Sequence, residues 1–218
     1  MKQRIKNTSL TQSSKIWLRR QMNDEFVAQA KKLGYRSRAS FKILEIQKKY
    51  RVFSKDDTVV DLGASPGGWS QIVSGIVKNV VAIDLLPMDP IENVTFICGD
   101  FLNSFDDLYK CLPNRTANVV ISDMAPNTCG IRKIDHIRIM NLAESVYEFC
   151  DYVLCDGGHM ITKVFQGGAD VDFLNVVKRR FGKVAHFKPK SSRKESPEMY
   201  LVCIGFKKSG IGKSIAWF

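Results

Sequence analysis

The stretch VVDLGASPGGWSQ, residues 59–71, joins an apolar run to a glycine-rich turn and the start of a helical pattern. It predicts a buried strand, a tight turn and a helix, the arrangement in which α/β proteins bind nucleotide-like ligands. Its glycines, Gly63, Gly67 and Gly68, are typical of a backbone that something approaches closely. A dinucleotide fingerprint has the spacing G-x-G-x-x-G, but Ser65 stands here at the position of the middle glycine. The stretch therefore argues against a pyrophosphate ligand.

Beyond residue 57, short β-branched runs alternate with helical patterns. Strands are predicted at 58–62, 79–84, 94–99, 117–123 and 158–165, and helices at 69–77, 104–111, 136–154 and 170–181. The last two predicted strands, 183–188 and 198–206, have no helix between them, so we expect them to pair antiparallel at the sheet edge. The predicted fold class is α/β, a Rossmann-like and mostly parallel doubly wound sheet with an antiparallel edge strand.

Positive charge is concentrated in the first quarter of the chain. Residues 1–55 contain 15 lysines and arginines against 3 acidic residues, whereas residues 56–218 contain 18 against 19. A second basic run, 178–194, contains eight lysines and arginines and no carboxylate. Solvated surface charge is the simpler interpretation, but segregated positive charge is also what binding to a phosphate backbone needs.

The basic first quarter also predicts two helices. One runs from Ile16 to about Leu33 and ends at Gly34, and the other runs from Arg38 to Tyr50 with Ser37 as its cap. We expect residues 1–15 to be a flexible tail and residues 16–218 to be a single domain. Within that domain, 16–55 would form the basic helices and 56–218 the Rossmann-like core.

Several classes of protein are disfavoured by composition. No run approaches the eighteen apolar residues of a membrane span, and the first residues lack the apolar segment of a secretory signal. The six cysteines contain no C-x-x-C pair, which disfavours a disulfide framework and predicts no metal site. We therefore expect a monomeric cytoplasmic protein with reduced thiols and no membrane contact.

Acidic residues end successive predicted strands at Asp61, Asp84, Asp100 and Asp123. Asp84 fits a carboxylate that accepts the hydroxyl groups of a ribose, and Asp100 can accept a hydrogen bond from an adenine amino group. A series of carboxylates disfavours a polyphosphate and favours a cationic ligand. S-adenosyl-L-methionine, which has a sulfonium, an amine, a ribose and an adenine, fits this pattern. The alternative is that these aspartates only cap helices.

Candidate catalytic residues follow from the same strands. Lys163 lies within the apolar run MITKVF, where an unpaired lysine would be costly. Glu198 begins the last predicted strand and could orient Lys163. Lys42 lies on the second basic helix. Asp123 is followed by Met-Ala-Pro-Asn, without the aromatic residue typical of enzymes that methylate base amino groups. An oxygen or sugar acceptor is therefore favoured.

Seven motifs give the chain a resemblance to one family. They are RSRASFKILEIQ (36–47), GASPGGWSQ (63–71), AIDLLPMDP (82–90), GDF (99–101), SDMAPN (122–127), TKVFQG (162–167) and SPEMY (196–200). From about residue 25 onward the chain resembles the FtsJ/RrmJ (RlmE) family, the bacterial 2′-O-ribose methyltransferases of large-subunit ribosomal RNA. The resemblance implies a methyltransferase fold, S-adenosylmethionine as methyl donor, and ribosomal RNA or the large ribosomal subunit as partner.

The resemblance also implies site residues. It assigns a catalytic tetrad to Lys42, Asp123, Lys163 and Glu198, and it places the methyl donor against Gly67, Trp69, Asp84, Asp100 and Asp123. Gly63, which opens the glycine turn, completes the predicted cofactor set. The implied reaction is methylation of a uridine 2′-hydroxyl in 23S ribosomal RNA.

The role of Lys163 stays open at this point, as does the RNA substrate. As a base Lys163 must be neutral, whereas a neighbouring carboxylate such as Asp123 favours charged lysine, which would stabilise an oxyanion instead. Rival interpretations are a non-catalytic RNA-binding module, a nicotinamide-dependent oxidoreductase, and a 2′-O-methyltransferase acting on transfer RNA or a messenger cap. The missing middle glycine and the acidic site both disfavour the oxidoreductase.

Overall fold

The computed structural model describes Lys15 and residues 22–126, 129–166 and 171–208. In chain order its elements are α1 (Glu25–Lys32), α2 (Ser40–Tyr50), β1 (Thr58–Leu62), α3 (Gly68–Ser74), β2 (Asn79–Asp84), β3 (Val94–Cys98), α4 (Phe105–Cys111), β4 (Ala117–Ser122), α5 (Arg132–Val153), β5 (Leu154–Phe165), α6 (Val171–Arg180), β6 (Phe181–Phe187) and β7 (Glu198–Phe206). A single 3-10 turn, Pro113–Arg115, precedes β4. The predicted tail lies outside the described residues except for Lys15.

All these strands belong to one sheet with the order β3-β2-β1-β4-β5-β7-β6. The first five strands are all parallel to one another, and β7 is antiparallel to both β5 and β6. The predicted fold class is confirmed. β7 runs in the opposite direction to the other strands. It lies second from the edge of the sheet, because β6 pairs with its outer side.

Helices cover both faces of the sheet, and each face has its own apolar core. Ile43 and Ile46 of α2 pack with Trp69 of α3 against one face. Helices α4, α5 and α6 pack against the other face, through residues such as Leu108, Val146 and Phe173. The central strands are apolar on both sides because both sides are covered, as the unbroken burial of β1 shows.

The carboxyl ends of the central strands lie level with one another. Leu62 of β1 is paired with Ile83 of β2 and with Ser122 of β4, and Ser122 is paired with Thr162 of β5. The chain winds outward in opposite directions from β1 and from β4, so their shared end is a topological switch point. Ligands of open α/β sheets bind at such points.

The first predicted helix is wrong at its centre. Asn23 and Asp24 are not helical, and the Asp24 carboxylate accepts a hydrogen bond from Phe26 N, which starts α1 at Glu25. Residues 16–21 of the prediction lie outside the described residues. The predicted end at Gly34 is confirmed. Gly34 has φ +71°. The N–H groups of residues 34 and 35 donate to the carbonyls of residues 31 and 30, which closes the helix.

Other boundaries differ from the prediction by a few residues. α5 begins at Arg132 instead of 136, and β5 begins at Leu154 instead of 158. The Asp-Gly-Gly sequence at 156–158 is typical of a turn, but here it forms an irregular stretch of β5, with Gly157 at φ +79° and a register shift against β4. Ser37 bonds to Ala39 N one turn before α2 and does not cap the helix itself.

The six cysteines are all free thiols, and Cys98, Cys111 and Cys129 are exposed. Within the described ranges, no helix is both long and apolar enough to cross a bilayer.

Candidate active site

Four charged side chains from distant parts of the chain meet beside the carboxyl ends of β4 and β5. Lys163 Nζ lies 2.7 Å from Asp123 Oδ1 and 3.8 Å from Glu198 Oε2. Lys42 Nζ lies 2.8 Å from Glu198 Oε2 and 3.5 Å from Asp123 Oδ2. The four predicted catalytic residues therefore form one cluster in which positive and negative groups alternate.

The sheet register explains why Lys163 reaches this cluster. In the antiparallel pair of β5 and β7, Lys163 lies directly opposite Tyr200, and both point to the face that α2 covers. Lys42 comes from α2 itself, where it is adjacent to buried Ile43 and Ile46. Because α2 packs on the sheet, the position of one lysine relative to the other is fixed by the core.

The cluster is largely removed from solvent, since its side chains are between 8% and 17% exposed. Two lysines and two carboxylates balance in charge, which offsets the cost of burying them. Burial alone would raise the pKa of the Asp123 carboxyl, but the charges of Lys163 and Lys42 outweigh burial and hold that pKa below its ordinary value. Asp123 is therefore ionised at neutral pH.

Two residues that the sequence did not assign complete the cluster. The Tyr200 hydroxyl donates to Asp123 Oδ1 at 2.6 Å, and the Ser192 hydroxyl donates to Glu198 Oε1 at 2.8 Å. Burial, followed by the nearby Asp123 charge, raises the pKa of Tyr200 well above its ordinary value, so the hydroxyl keeps its proton. The spacing of Glu198 and Tyr200, two apart on one strand, was a usable signal for Tyr200.

An open cleft of about 690 Å³ adjoins the cluster at the switch point. Four of the six predicted cofactor residues line it: Gly63, Asp84, Asp100 and Asp123. The far wall is formed by α5 through Arg138, Asn141, Leu142 and Ser145. Asp123 belongs both to this cleft and to the charged cluster, so a ligand in the cleft would lie against the cluster.

The carboxylates of Asp84 and Asp100 are fixed by their own turns. Asp84 accepts from Ser65 N at 2.9 Å and from Leu86 N at 2.8 Å, one oxygen for each donor. Asp100 accepts from Leu102 N and from the Asn103 side chain, both at 3.1 Å. Neither residue caps a helix, and each oxygen keeps a lone pair for a ligand in the cleft.

Protein atoms, and not open space, lie beside the glycines of the turn. A side chain at Gly63 would collide with Met124, and one at Gly67 with Met88 and Ile91. Gly63 and Gly67 also have φ values of +79° and +97°, which glycine adopts most easily. These glycines thus allow the loops after β4 and β2 to close around the cleft.

Trp69 does not line the larger cleft but a smaller cavity. Its side chain is buried, and its indole N–H donates to Ala39 O at 2.9 Å. It lines a cavity of about 40 Å³ together with Ser37, Asp61, Gly63, Ser65 and Asp123. Gly67 lines neither this cavity nor the larger cleft.

Asp61 belongs to the predicted series of strand-end carboxylates, but no individual contact was assigned to it. Its Oδ2 accepts from the Ser70 hydroxyl at 2.6 Å, but its buried Oδ1 has no hydrogen-bond partner. Burial, with smaller contributions from Asp123 and Asp84, raises the pKa of Asp61 to about 7. A buried acceptor without a donor, lining the small cavity, is suited to a ligand that brings a cationic donor.

Comparison with known proteins shows the family of this chain. The family model described as FtsJ-like methyltransferase matches residues 35–206. The chain belongs to this family. The matched range includes all four residues of the charged cluster and both cavities.

Proteins similar to this chain include two curated relatives, each named ribosomal RNA large subunit methyltransferase E. The one from Wolbachia pipientis wMel is 48% identical over 185 residues, which cover 85% of this chain and 96% of the relative. The one from Acidiphilium cryptum (strain JF-5) is 50% identical over 197 residues, covering 89% and 88%.

A solved structure from Plasmodium falciparum, described as a ribosomal RNA methyltransferase, has a TM-score of 0.71 and 32% identity to this chain. The alignment covers 79% of this chain and 98% of that one. The Rossmann-like methyltransferase fold expected from the sequence is therefore confirmed.

Proposed function

We propose that this protein transfers a methyl group from S-adenosyl-L-methionine to a uridine ribose 2′-hydroxyl in 23S ribosomal RNA of the large subunit. The observation that carries the proposal is the position of Asp123, which lines the ligand cleft and at the same time binds Lys163. Family membership and the names of the curated relatives support methyl transfer to ribosomal RNA of the large subunit.

The residues of the two cavities fit S-adenosylmethionine. Asp84 would accept ribose hydroxyls and Asp100 an adenine amine, since each is held by main-chain donors at the cleft, while the unpartnered Asp61 Oδ1 would suit the α-amino group. Three carboxylates and one cationic side chain, that of Arg138, line the larger cleft, and this excess of negative charge disfavours a phosphate group and favours a cation. Gly63 and Trp69 complete the walls of the small cavity, and Gly67 shapes the turn that holds them.

The charged cluster is suited to activating a hydroxyl group. S-adenosylmethionine, when bound, supplies an electrophilic methyl group on its sulfonium. Lys163 would take the 2′-hydroxyl proton or stabilise the negative charge that develops on the oxygen. Its Nζ already lies against two acceptor oxygens of Asp123, Oδ1 at 2.7 Å and the carbonyl oxygen at 2.6 Å, so it faces them as a hydrogen-bond donor. The electrostatic role is therefore the one we adopt.

The other members of the cluster would position Lys163 and the hydroxyl. Asp123 orients Lys163, and Tyr200 fixes Asp123 from the side. Glu198 joins both lysines, with its second oxygen held by Ser192. Alignment of the reacting groups supplies a large share of the rate acceleration in methyl transfer. The residues that position Lys163 and the hydroxyl would therefore contribute substantially to catalysis.

The basic segments near the site are suited to the RNA backbone. The two basic runs of the sequence meet on one surface, where Lys49 Nζ lies 4.8 Å from the Phe187 ring centre and Lys183 Nζ lies 5.6 Å from the Tyr50 ring centre. Clustered lysines beside aromatic rings are typical of surfaces that bind single-stranded RNA. We propose that RNA reaches the cluster across α2 and β6.

The test is methyl transfer from labelled S-adenosylmethionine to large ribosomal subunits that lack the modification, with transfer RNA in a parallel reaction. Label recovered in a 2′-O-methyluridine of 23S RNA is the expected result. Label in transfer RNA alone would favour the rival methyltransferase. RNA binding without any label would favour the non-catalytic module. The cytoplasmic location and the monomeric state stay predictions from the sequence.

A further inference from the structure

The first turns of α5 carry an exposed apolar strip beside the cleft. Ile131, Ile134 and Ile137 are 56%, 40% and 59% exposed. Residues three and four apart on a helix are neighbours, so Ile134 lies next to Arg138 and Ile137 next to Asn141. Arg138 and Asn141 line the cleft. The strip therefore continues the cleft wall outward from the ligand site.

The same turns carry several basic side chains. Arg132, Lys133 and Arg138 are exposed. The one acidic residue between positions 131 and 138 is Asp135, which is buried and accepts from Cys129 N at 2.8 Å and Gly130 N at 3.1 Å. The outer surface of these turns is therefore apolar and basic together.

We propose that this surface, residues 131–138, binds the RNA nucleotides next to the methylated one. This inference rests on the proposed function and adds a second contact to the one across α2 and β6. Arg132 and Lys133 would contact phosphates, and the isoleucines would pack against base faces. Isoleucine is among the apolar side chains that proteins insert between bases to unstack them.

This contact would help the target ribose to reach the charged cluster. Because the side chains of the cluster are only 8% to 17% exposed, a ribose that approaches Lys163 must enter a recess and cannot stay on the outer surface. An apolar strip at the mouth of the cleft would hold the neighbouring base while the target ribose turns inward. Positive charge on the strip disfavours a cationic protein segment and favours a polyanion.

Two double variants separate the parts of the proposal. Ile134→Ser with Ile137→Ser removes the base contacts, and Arg132→Gln with Lys133→Gln removes the phosphate contacts. Val176→Ser and Lys110→Gln are matched controls, because both side chains are exposed on other helices. Binding to undermethylated large subunits is measured directly against salt, and S-adenosylmethionine affinity is measured separately.

We expect each double variant to weaken subunit binding about tenfold or more, with cofactor affinity within about twofold of wild type. The arginine–lysine pair should reduce the slope of log affinity against log salt by about 1 to 2, whereas the isoleucine pair should leave the slope unchanged. Wild-type binding by both double variants would overturn the inference. It would leave the proposed function intact if the wild-type protein methylates the RNA.

A crosslink identifies the occupant. A photoreactive benzoylphenylalanine at position 137 should attach to an RNA nucleotide that neighbours the methylated one in the same strand. A crosslink to a ribosomal protein, or to distant RNA, would contradict the proposal. Absence of methyl transfer by wild type would instead refute the proposed function, and the crosslink would still report what the strip touches.

Discussion

Lys163 contacts Asp123 through two oxygens of that residue, the side-chain Oδ1 at 2.7 Å and the main-chain O at 2.6 Å. A main-chain carbonyl accepts but never titrates, so this contact holds the lysine whatever the charge of the carboxylate. The contact with Oδ1 is an ion pair between the lysine and the carboxylate. Together they fix one end of Lys163 while leaving its remaining donor for a substrate oxygen.

The first prediction concerns turnover. Lys163→Ala should reduce single-turnover methyl transfer by about a hundred- to a thousandfold, as expected when a group that stabilises an oxyanion is lost. S-adenosylmethionine affinity should stay within a few-fold, since Lys163 does not line the cleft. Rapid-quench measurement with labelled donor checks the rate, and titration calorimetry checks the affinity. Transfer at near wild-type rate by the variant would remove Lys163 from the mechanism.

The second prediction concerns Asp61 and pH. Its pKa rises from the ordinary value of 3.8 to about 7 in the folded protein. The folded state therefore holds a proton that the unfolded state has released, and this contribution to stability is lost as pH rises through about 7. Asp61→Asn does not titrate, so its free energy of unfolding relative to wild type should increase by about 2–3 kcal/mol between pH 5 and pH 8.

Chemical unfolding at several pH values, without cofactor, measures this difference. Asp107→Asn, at an exposed position, is the control and should show no such trend. Asp61→Asn should also lose affinity for S-adenosylmethionine, because its neutral amide cannot balance the charge of the ligand's α-amino group. A pH-independent difference in stability would show that Asp61 is already ionised in the folded protein.

Much of the fold followed from the sequence because its signals were local. The buried strands such as 58–62 and 79–84 are short apolar runs between breakers, and their bounds agree with the structure. The helix break at Asp24 was missed because a single capping aspartate does not alter the average composition of a basic segment. The extra length of β5 was missed because Asp156-Gly157-Gly158 is typical of a turn.

The site was predictable in its residue types and not in its contacts. The tetrad came from the family resemblance, and an unexplained lysine at 163 supported it. Tyr200 and Ser192 were missed because their roles depend on strand register and on a loop that returns to Glu198. The neighbours of the glycines were missed as well, because Met124 and Met88 come from other loops.

The third prediction concerns the cofactor. Asp84→Asn should weaken S-adenosylmethionine binding by about 10- to 100-fold, because an amide can accept from only one of the two donors, Ser65 N and Leu86 N, and loses the charge. Titration calorimetry measures the effect. Asp106→Asn is the matched control at an exposed position of α4. Unchanged affinity in Asp84→Asn would move the ribose away from this carboxylate.

The fourth prediction concerns RNA and salt. Wild-type affinity for RNA should fall steeply between low and physiological salt if α2 and β6 bind the backbone. Replacing Lys49 and Lys183 with glutamine should reduce the slope by about 1 for each lysine. Lys110→Gln, where the lysine pairs with Asp107 on α4, should leave the slope unchanged. A flat dependence for the wild-type protein would refute this placement of the RNA.

The fifth prediction concerns the serine that holds Glu198. Ser192→Ala removes the donor at 2.8 Å from Oε1, which frees the carboxylate to rotate away from Lys42. We expect kcat to fall about tenfold, close to 1.4 kcal/mol of barrier. RNA KM should change little, because the Ser192 side chain is buried. Steady-state kinetics with large subunits measure both constants.

The adjacent residue supplies the control. Ser191 is also buried, and its hydroxyl has no hydrogen-bond partner, whereas its main-chain N–H binds Glu45. Ser191→Ala therefore keeps the loop contacts and should leave kcat unchanged. An equal loss in both variants would mean that the loop responds to any substitution. A loss in Ser192→Ala alone would show that catalysis depends on the orientation of Glu198.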